Sequence, residues 1–300
     1  MSLVDQHHGL TASQRDWLQD REHLRRDRHE LGQRAVELYP DTTRVAGTPL
    51  LTRPEWLPTE PIPLDAINLA FAPDVPFVGL AGNDPAGVGV RPARADGSRY
   101  PTYSAAMAEL AAPSVLENRS TYRLLSADLS GACGRLAFGR GSYFDGIDLR
   151  EAAAHEYAAA HLDGSALPLR TAIGDPCDPA RRPMNLAISA LTIRHDRATG
   201  GATFLLHWRD PAKVGHAGGL HMVVPVGIFH ASSDEPWNER NDFSLWRCLL
   251  RTARSRICPR GGSPRTPPGW SAPRSPTTSP APPAPSPGRS TPAPASSAPN

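Results

Sequence analysis

The stretch from Ala202 to Arg251 constrains the fold most. Its apolar runs, Phe204 to Trp208 and Leu220 to Phe229, are short, rich in Val, Leu and aromatic residues, and bounded by Gly and Pro. Runs of that length and composition form strands. Asn241 or Asp242 then offers an N-cap for a helix whose Phe243, Leu245, Trp246, Leu249 and Leu250 follow helical spacing. The unit is therefore strand, Gly-Gly turn, strand, loop and helix, with Phe243, Trp246, Leu249 and Leu250 expected to be buried. Upstream, Leu186 to Arg194 and Thr203 to Trp208 make a hairpin across HDRATGG and feed the same sheet. Arg194, His207, Arg209 and His221 are its candidate ligand-binding residues. The last three alternate with apolar residues, which puts them on one side of the sheet. That side is a solvated face by default and a nucleotide-phosphate face on the sharper reading.

After this unit the polymer changes character. Fourteen of the 33 prolines fall after residue 250, and residues 251–300 hold seven Arg and no acid. The formal charge of +2 for the whole chain therefore leaves −5 on the first 250 residues, which argues against a broad nucleic-acid surface there. Beyond Ile257 periodicity ends, and a mixture of Pro, Ser, Ala, Thr, Gly and Arg reads as disorder. One origin is a natural flexible basic tail. Loss of every acid in mid-helix fits better a change of reading frame just after Arg251, because out-of-frame GC-rich DNA encodes mostly these residues. Lys213 is the only lysine beside 31 arginines, a mark of GC-rich codons rather than of binding.

With VPVG closing the second strand and LLR on the helix behind it, the unit resembles the Nudix hydrolase family, whose strand-loop-helix motif reads G-x5-E-x7-R-E-x2-E-E-x-G. The body from Arg15 to Arg251 looks more closely like an actinobacterial group of Nudix-like proteins often labelled transcriptional regulators. The resemblance makes Gly227 the motif glycine and Arg251 the motif arginine. It implies helix glutamates that hold Mg²⁺, a substrate diphosphate and an activated water. The chain departs from that pattern, since Gly227 and Arg251 lie farther apart than the motif spacing. Ser233 stands where the first Glu would be, and Thr252, Ala253, Arg254, Ser255 and Arg256 follow Arg251. No Asp or Glu occurs after Asp242, so Mg²⁺, expected of an intact member, has no ligands here and no cofactor is expected.

Elsewhere the signals are structural. Thr11 to Tyr39 reads as one helix, with a Thr11–Gln14 capping box and Pro40 after its end. Trp17, Leu24, Leu31 and Leu38 recur every seven residues as a single seam, while Arg21, Arg28 and Ala35 fill a second column poorly. A helix lying on its own domain by one seam is the favoured reading, and a coiled-coil or dimerising helix the alternative. Its run Arg25-Arg26-Asp27-Arg28 gives DNA contact only weak support. Residues 41–63 form a Pro-punctuated extended arm, and Gly87-Val-Gly89 a loop without the third glycine of a phosphate cradle. Thr102 to Leu110 reads as a helix, and Thr121 to Leu129 and Arg135 to Gly139 as strands. Asp148 reads as the cap of a helix with Glu151 at its third position. On that helix His155-Glu156 and His161 are six apart, which excludes a zincin. Residues 167–184 read as a turn-rich connector. Cys133, Cys177, Cys248 and Cys258 have no zinc-site spacing. Without a signal peptide or an apolar run of roughly 18 residues, the expected setting is the cytoplasm with reduced thiols and no membrane.

These readings predict an α+β fold with a Nudix-like mixed, largely antiparallel sheet flanked by helices at 148–162 and 242–254. The expected organisation is a charged N-terminal helix over 1–40, the arm over 41–63, an incomplete Nudix-like domain over 64–256 and a disordered tail over 257–300. The expected function is a non-catalytic nucleotide-sensing or regulatory module with a nucleotide-type small ligand. The alternatives are an active hydrolase of nucleoside-diphosphate compounds and a DNA-associated regulator. Oligomeric state is left open.

Overall fold

The apolar seam of the N-terminal segment does form a helix, with a break. The computed structural model describes residues 9–210 and 219–257. Helix α1 (Ala12–Arg26) opens on the expected capping box: Gln14 N–H donates to the Thr11 hydroxyl at 3.1 Å, and Thr11 N–H to the Gln14 side chain at 2.8 Å. At Asp27 the backbone leaves the helical region, with φ −108° and ψ 16°, and α2 (Arg28–Ala35) follows. The expected single helix is thus two helices and a 3₁₀ turn over Val36–Leu38. Trp17, Leu24 and Leu31 are buried, whereas Leu38 is exposed, so the seam ends one heptad early. In the second column Arg21 is only 4% exposed, while Arg28 and Ala35 are half-buried.

The arm holds a short antiparallel pair, β1 (Thr43–Arg44) and β2 (Leu51–Thr52). Strand β3 (Ile67–Phe71) then runs parallel to β5 (Gly134–Ser142), and β4 (Ser120–Asp128) runs antiparallel to β5, in the order β3-β5-β4. The outer edge of β4 is not bare. Tyr122 N–H donates to Phe229 O at 3.1 Å and Leu124 N–H to Met184 O at 2.9 Å. Tyr122, Leu124, Leu136, Phe138, Phe229, Leu245 and Cys248 form the core on this sheet, with Phe243 packed against it. The second core lies among the helices, around Trp17, Tyr103, Met107, Ile147 and Leu149. Burying each such side chain contributes about 1.5–3 kcal/mol, so both halves have their own driving force.

Three helix assignments need correction, and one cause runs through all of them. Helix α3 (Tyr103–Leu110) is capped by Thr102 as its sequence suggests. Asp148, however, does not cap its own helix. Ser142 and Asp145 make the capping box of α4 (Tyr143–Gly146), which runs through a π-helical turn (Ile147–Glu151) into α5 (Ala152–Asp163). Asp148 Oδ1 instead accepts from Ser104 N–H at 2.6 Å, in the first turn of α3. The connector after α5 contains a helix, α6 (Pro168–Ile173), whose free N–H groups of Leu169 and Arg170 donate to the Glu156 carboxylate at 2.7 and 2.8 Å. Asp242 likewise caps no helix N-terminus; it is the C-cap residue of the short helix before it. It follows α7 (Pro236–Asn241), and α8 starts only at Leu245 and runs to Ile257. In each case a carboxylate with good capping chemistry serves a neighbour distant in sequence. On α8 the buried face carries Leu245 and Cys248, while Trp246 and Leu250, expected inside, are exposed.

Among the described residues between α6 and α7, six short strands form three antiparallel ladders. They are β6 (Ala187–Ser189) with β11 (Val226–Ile228), β7 (Ile193–His195) with β8 (Ala202–Phe204), and β9 (Leu206–Trp208) with β10 (His221–Val223). The chain is therefore α+β, with short sheets and mainly antiparallel pairing. Among the described residues no helix is long and apolar enough to cross a membrane. The tail expected beyond Ile257, with Cys258 and Trp270, lies outside the described residues.

Candidate functional site

The six candidate residues fall in two places. Arg194 on β7 is opposite Thr203 and exposed. His207 on β9 is opposite Met222, and Arg209, just beyond β9, has Nη1 3.3 Å from Met222 Sδ. His221 is opposite Trp208. Residues directly opposite in an antiparallel ladder point to the same side. His221 therefore shares its side with Leu206 and Trp208, and His207 and Arg209 occupy the other. The expected single face of His207, Arg209 and His221 does not exist, because the β9–β10 register offsets the two histidines by one residue.

Gly227 and Arg251 belong together, on β11 and α8. A Cβ on Gly227 would lie 3.0 Å from Thr252 Oγ1 and 3.1 Å from Thr252 Cγ2. The glycine thus lets strand and helix approach closely, and a side chain there would have to push the Thr252 side chain aside. Arg251 Nη1 stands 3.1 Å from Asp242 Oδ2, and its Nη2 donates to His230 O. Asp242 Oδ2 also accepts from Ser232 N–H at 2.8 Å, so Arg251 anchors the loop that joins β11 to α7.

That loop borders a cleft of about 280 Å³ lined by Ser120, Thr121, Tyr122, Arg140, Ser233, Asp234 and Glu239. Arg140 grips Glu239 with two parallel bonds, Nε to Oε1 at 2.7 Å and Nη2 to Oε2 at 2.8 Å. This pairing holds the Glu239 carboxyl below its ordinary range. Tyr122 Oη donates to Glu239 O at 2.6 Å, and Asn238 Nδ2 donates to Ser233 Oγ at 2.6 Å. The cleft presents hydroxyls beside a paired guanidinium and carboxylates, a set suited to hydrogen-bonding polar oxygen-rich groups. Arg140, Tyr122 and Glu239 carried no sequence signal, since Arg140 and Glu239 are 99 residues apart. The β4 and β5 patterns located their strands but not this meeting.

Two further polar clusters tie α1 to α5. Arg21 Nη1 donates to Tyr103 Oη at 2.8 Å and lies 3.6 Å from Glu151 Oε1, which Arg28 Nη2 also contacts at 2.6 Å. His155 Nδ1 is 3.1 Å from Tyr103 Oη, and its Nε2 is 3.9 Å from Asp20 Oδ2. Burial, reinforced by the Arg21 charge, lowers the His155 pKa to about 3, and burial pushes the Tyr103 hydroxyl up. In the second cluster Arg34 Nη1 is 3.1 Å from His161 Nε2, His161 Nδ1 is 3.3 Å from His23 Nε2, and His23 Nδ1 is 2.7 Å from Asp27 Oδ2. His155 and His161 thus enter different networks, both structural.

Residues that could hold a divalent cation at the end of α8 are a poor fit. Thr252 directs its hydroxyl to Cys248 O at 2.8 Å, and Ala253 and Arg254 bring no carboxylate oxygen. Among the described residues no three His, Cys, Asp or Glu side chains are grouped to hold a metal ion. Cys133 is exposed, and Cys177 and Cys248 are buried as free thiols. A scan against protein-family models, a search of curated proteins and a search of solved structures each found no match to this chain.

Proposed function

We propose that this chain is a non-catalytic, Nudix-like module that senses a nucleotide-type ligand or regulates through one. The contact of Gly227 with Thr252 carries the reading. It puts the strand glycine under the helix one residue past Arg251, the strand-loop-helix order that the resemblance implies. The family's metal-binding glutamates would follow Arg251. Thr252, Ala253 and Arg254 stand there and do not fit Mg²⁺, so no hydrolytic step runs through this helix. The adjoining cleft retains the hydroxyls of Ser120, Thr121 and Ser233 beside Arg140, chemistry that suits sugar and phosphate oxygens. The charge of −5 on residues 1–250 favours a small ligand over DNA.

The test is calorimetric titration of the full chain with nucleoside diphosphates and sugar nucleotides, with product assays in the presence of Mg²⁺. Saturable binding without turnover is the expected result. Turnover above a mock preparation would overturn it, and sequence-specific DNA binding would favour the regulator alternative. The same reading takes residues after Arg251 as out of frame. Translating the coding DNA in the other frames after codon 251 should then give an acidic helix with a Glu-Glu pair.

A further inference from the structure

Residues 202–208 alternate, with Ala202, Phe204, Leu206 and Trp208 in one set and Thr203, Leu205 and His207 in the other. In an extended chain each set points to its own side. The paired strands extend the first set, since Ile193 lies opposite Phe204 and Val223 opposite Leu206. Leu191 has the parity of Ile193. One side of this flap is thus apolar, and the other mixes Leu205 and Leu220 with Arg194, Thr203 and His207. An antiparallel sheet ordinarily turns such an apolar side to the core. Here Leu191, Ile193, Phe204, Leu206 and Trp208 are between 49% and 59% exposed.

We propose that a second copy of this chain docks on this apolar side, the two flaps packing face to face in a symmetric homodimer. Chain outside the described residues offers few side chains to cover it: residues 258–300 contain one large apolar residue, Trp270, 211–218 only Val214, and 1–8 Met1, Leu3 and Val4. Self-docking meets no fixed charge within the ladders: among the described residues the titratable groups at ladder positions on this side are His195 and His221, and Asp210, of the same parity, lies beyond the end of β9. The size also suffices. Five half-exposed side chains at roughly 100 Å² each give about 500 Å² per copy, near the total of about 1,000 Å² that a specific interface must clear. A two-fold axis makes one patch complementary to itself, so a single apolar face is enough.

The experiment is sedimentation of the full chain over a concentration series, with Leu206→Arg and the milder Phe204→Ser, each checked by circular dichroism. The expected wild-type species has the mass of two chains. Each variant should keep its spectrum and weaken association roughly thirtyfold or more, as loss of a buried anchor does. His207→Arg, on the opposite side, should leave the dimer intact. A wild-type monomer at about 100 μM, well above the Kd of a specific dimer, overturns the proposal. So does a dimer that both folded variants leave unchanged, or one that His207→Arg breaks equally. A chain that dimerises only after residues 258–300 are deleted would assign the face to the tail and also overturn it.

Discussion

A guanidinium as buried as that of Arg21 needs partners on every side, and Arg21 finds them on three elements: Tyr103 and Met107 of α3, Glu151 of the π turn and the Trp17 ring. His155 sits beside this cluster, stacked on Trp17 at 5.1 Å, and shows how it responds to acid. Its folded-state pKa of about 3 lies below the value of about 6.5 in an unfolded chain. Between those values the unfolded chain binds a proton that the folded chain refuses. Stability is therefore complete above about pH 6.5 and falls toward pH 3, by about 1.4 kcal/mol per pH unit. His230, lowered by burial, acts with the same sign. Asp20, Asp148 and Glu156, all raised by burial, act with the opposite sign in the carboxylate range. The His155 effect is cleanest between pH 6.5 and 5. Denaturant midpoints across that interval should fall in the wild type and flatten in His155→Gln; equal slopes in the two proteins would refute this account.

At the scale of elements, the strand-helix contact makes the sharpest prediction. Gly227→Ala puts a methyl group 3.0 Å from the Thr252 hydroxyl, and overpacking of this kind costs about 1–3 kcal/mol. Adding Thr252→Ala removes the two closest atoms and leaves the Thr252 Cβ at 3.7 Å, an ordinary contact. The double variant should recover most of the loss in thermal unfolding, and additive losses would show the contact to be misjudged. The elements themselves were largely legible. Alternation located β4, β5 and the β7–β8 hairpin, and the capping box located α1. What local pattern could not show was where a carboxylate finds its donors. Asp148 caps α3, Glu156 caps α6 and Asp242 holds Ser232 and Arg251, and each looked from its neighbours like a cap or a helix face. The candidate site suffered twice from the same limit. The offset of His207 from His221 depends on register, and the Arg140–Glu239 pair on tertiary folding.

Across the whole molecule, burial is unevenly shared. Phe138 and Phe229 are fully buried on the β3-β5-β4 sheet, and Tyr103 and Ala152 in the helical core, while β1 and its turn carry mostly exposed residues. Local opening follows buried contact, so the amides of residues 122–124 and 136–138 should exchange slowest with solvent and those of 43–50 fastest. Hydrogen exchange followed by mass spectrometry reads all three segments in one experiment, and comparable rates would contradict this uneven burial. The cores meet where β5 leads into α4, through Ser142, whose carbonyl accepts from Asn185 Nδ2 at 3.0 Å. That junction lets the sheet and the helical half share one folded body.

The stacked pair His23 and His161 has a direction. Arg34 can only donate, and the Asp27 carboxylate, nearer to His23 Nδ1 at 2.7 Å than Arg26 Nη2 at 3.4 Å, can only accept, so with both rings neutral the two ends decide where every hydrogen between them lies. Arg34 fills the Nε2 lone pair of His161, whose Nδ1–H must then point at His23 Nε2, leaving the His23 Nδ1–H for Asp27. Both rings are thereby fixed in the same tautomer, and neither could reverse alone without setting two hydrogens or two lone pairs against each other. The pair works as an arrow drawn from α2 through the end of α5 and back to the close of α1, oriented by residues that never touch one another.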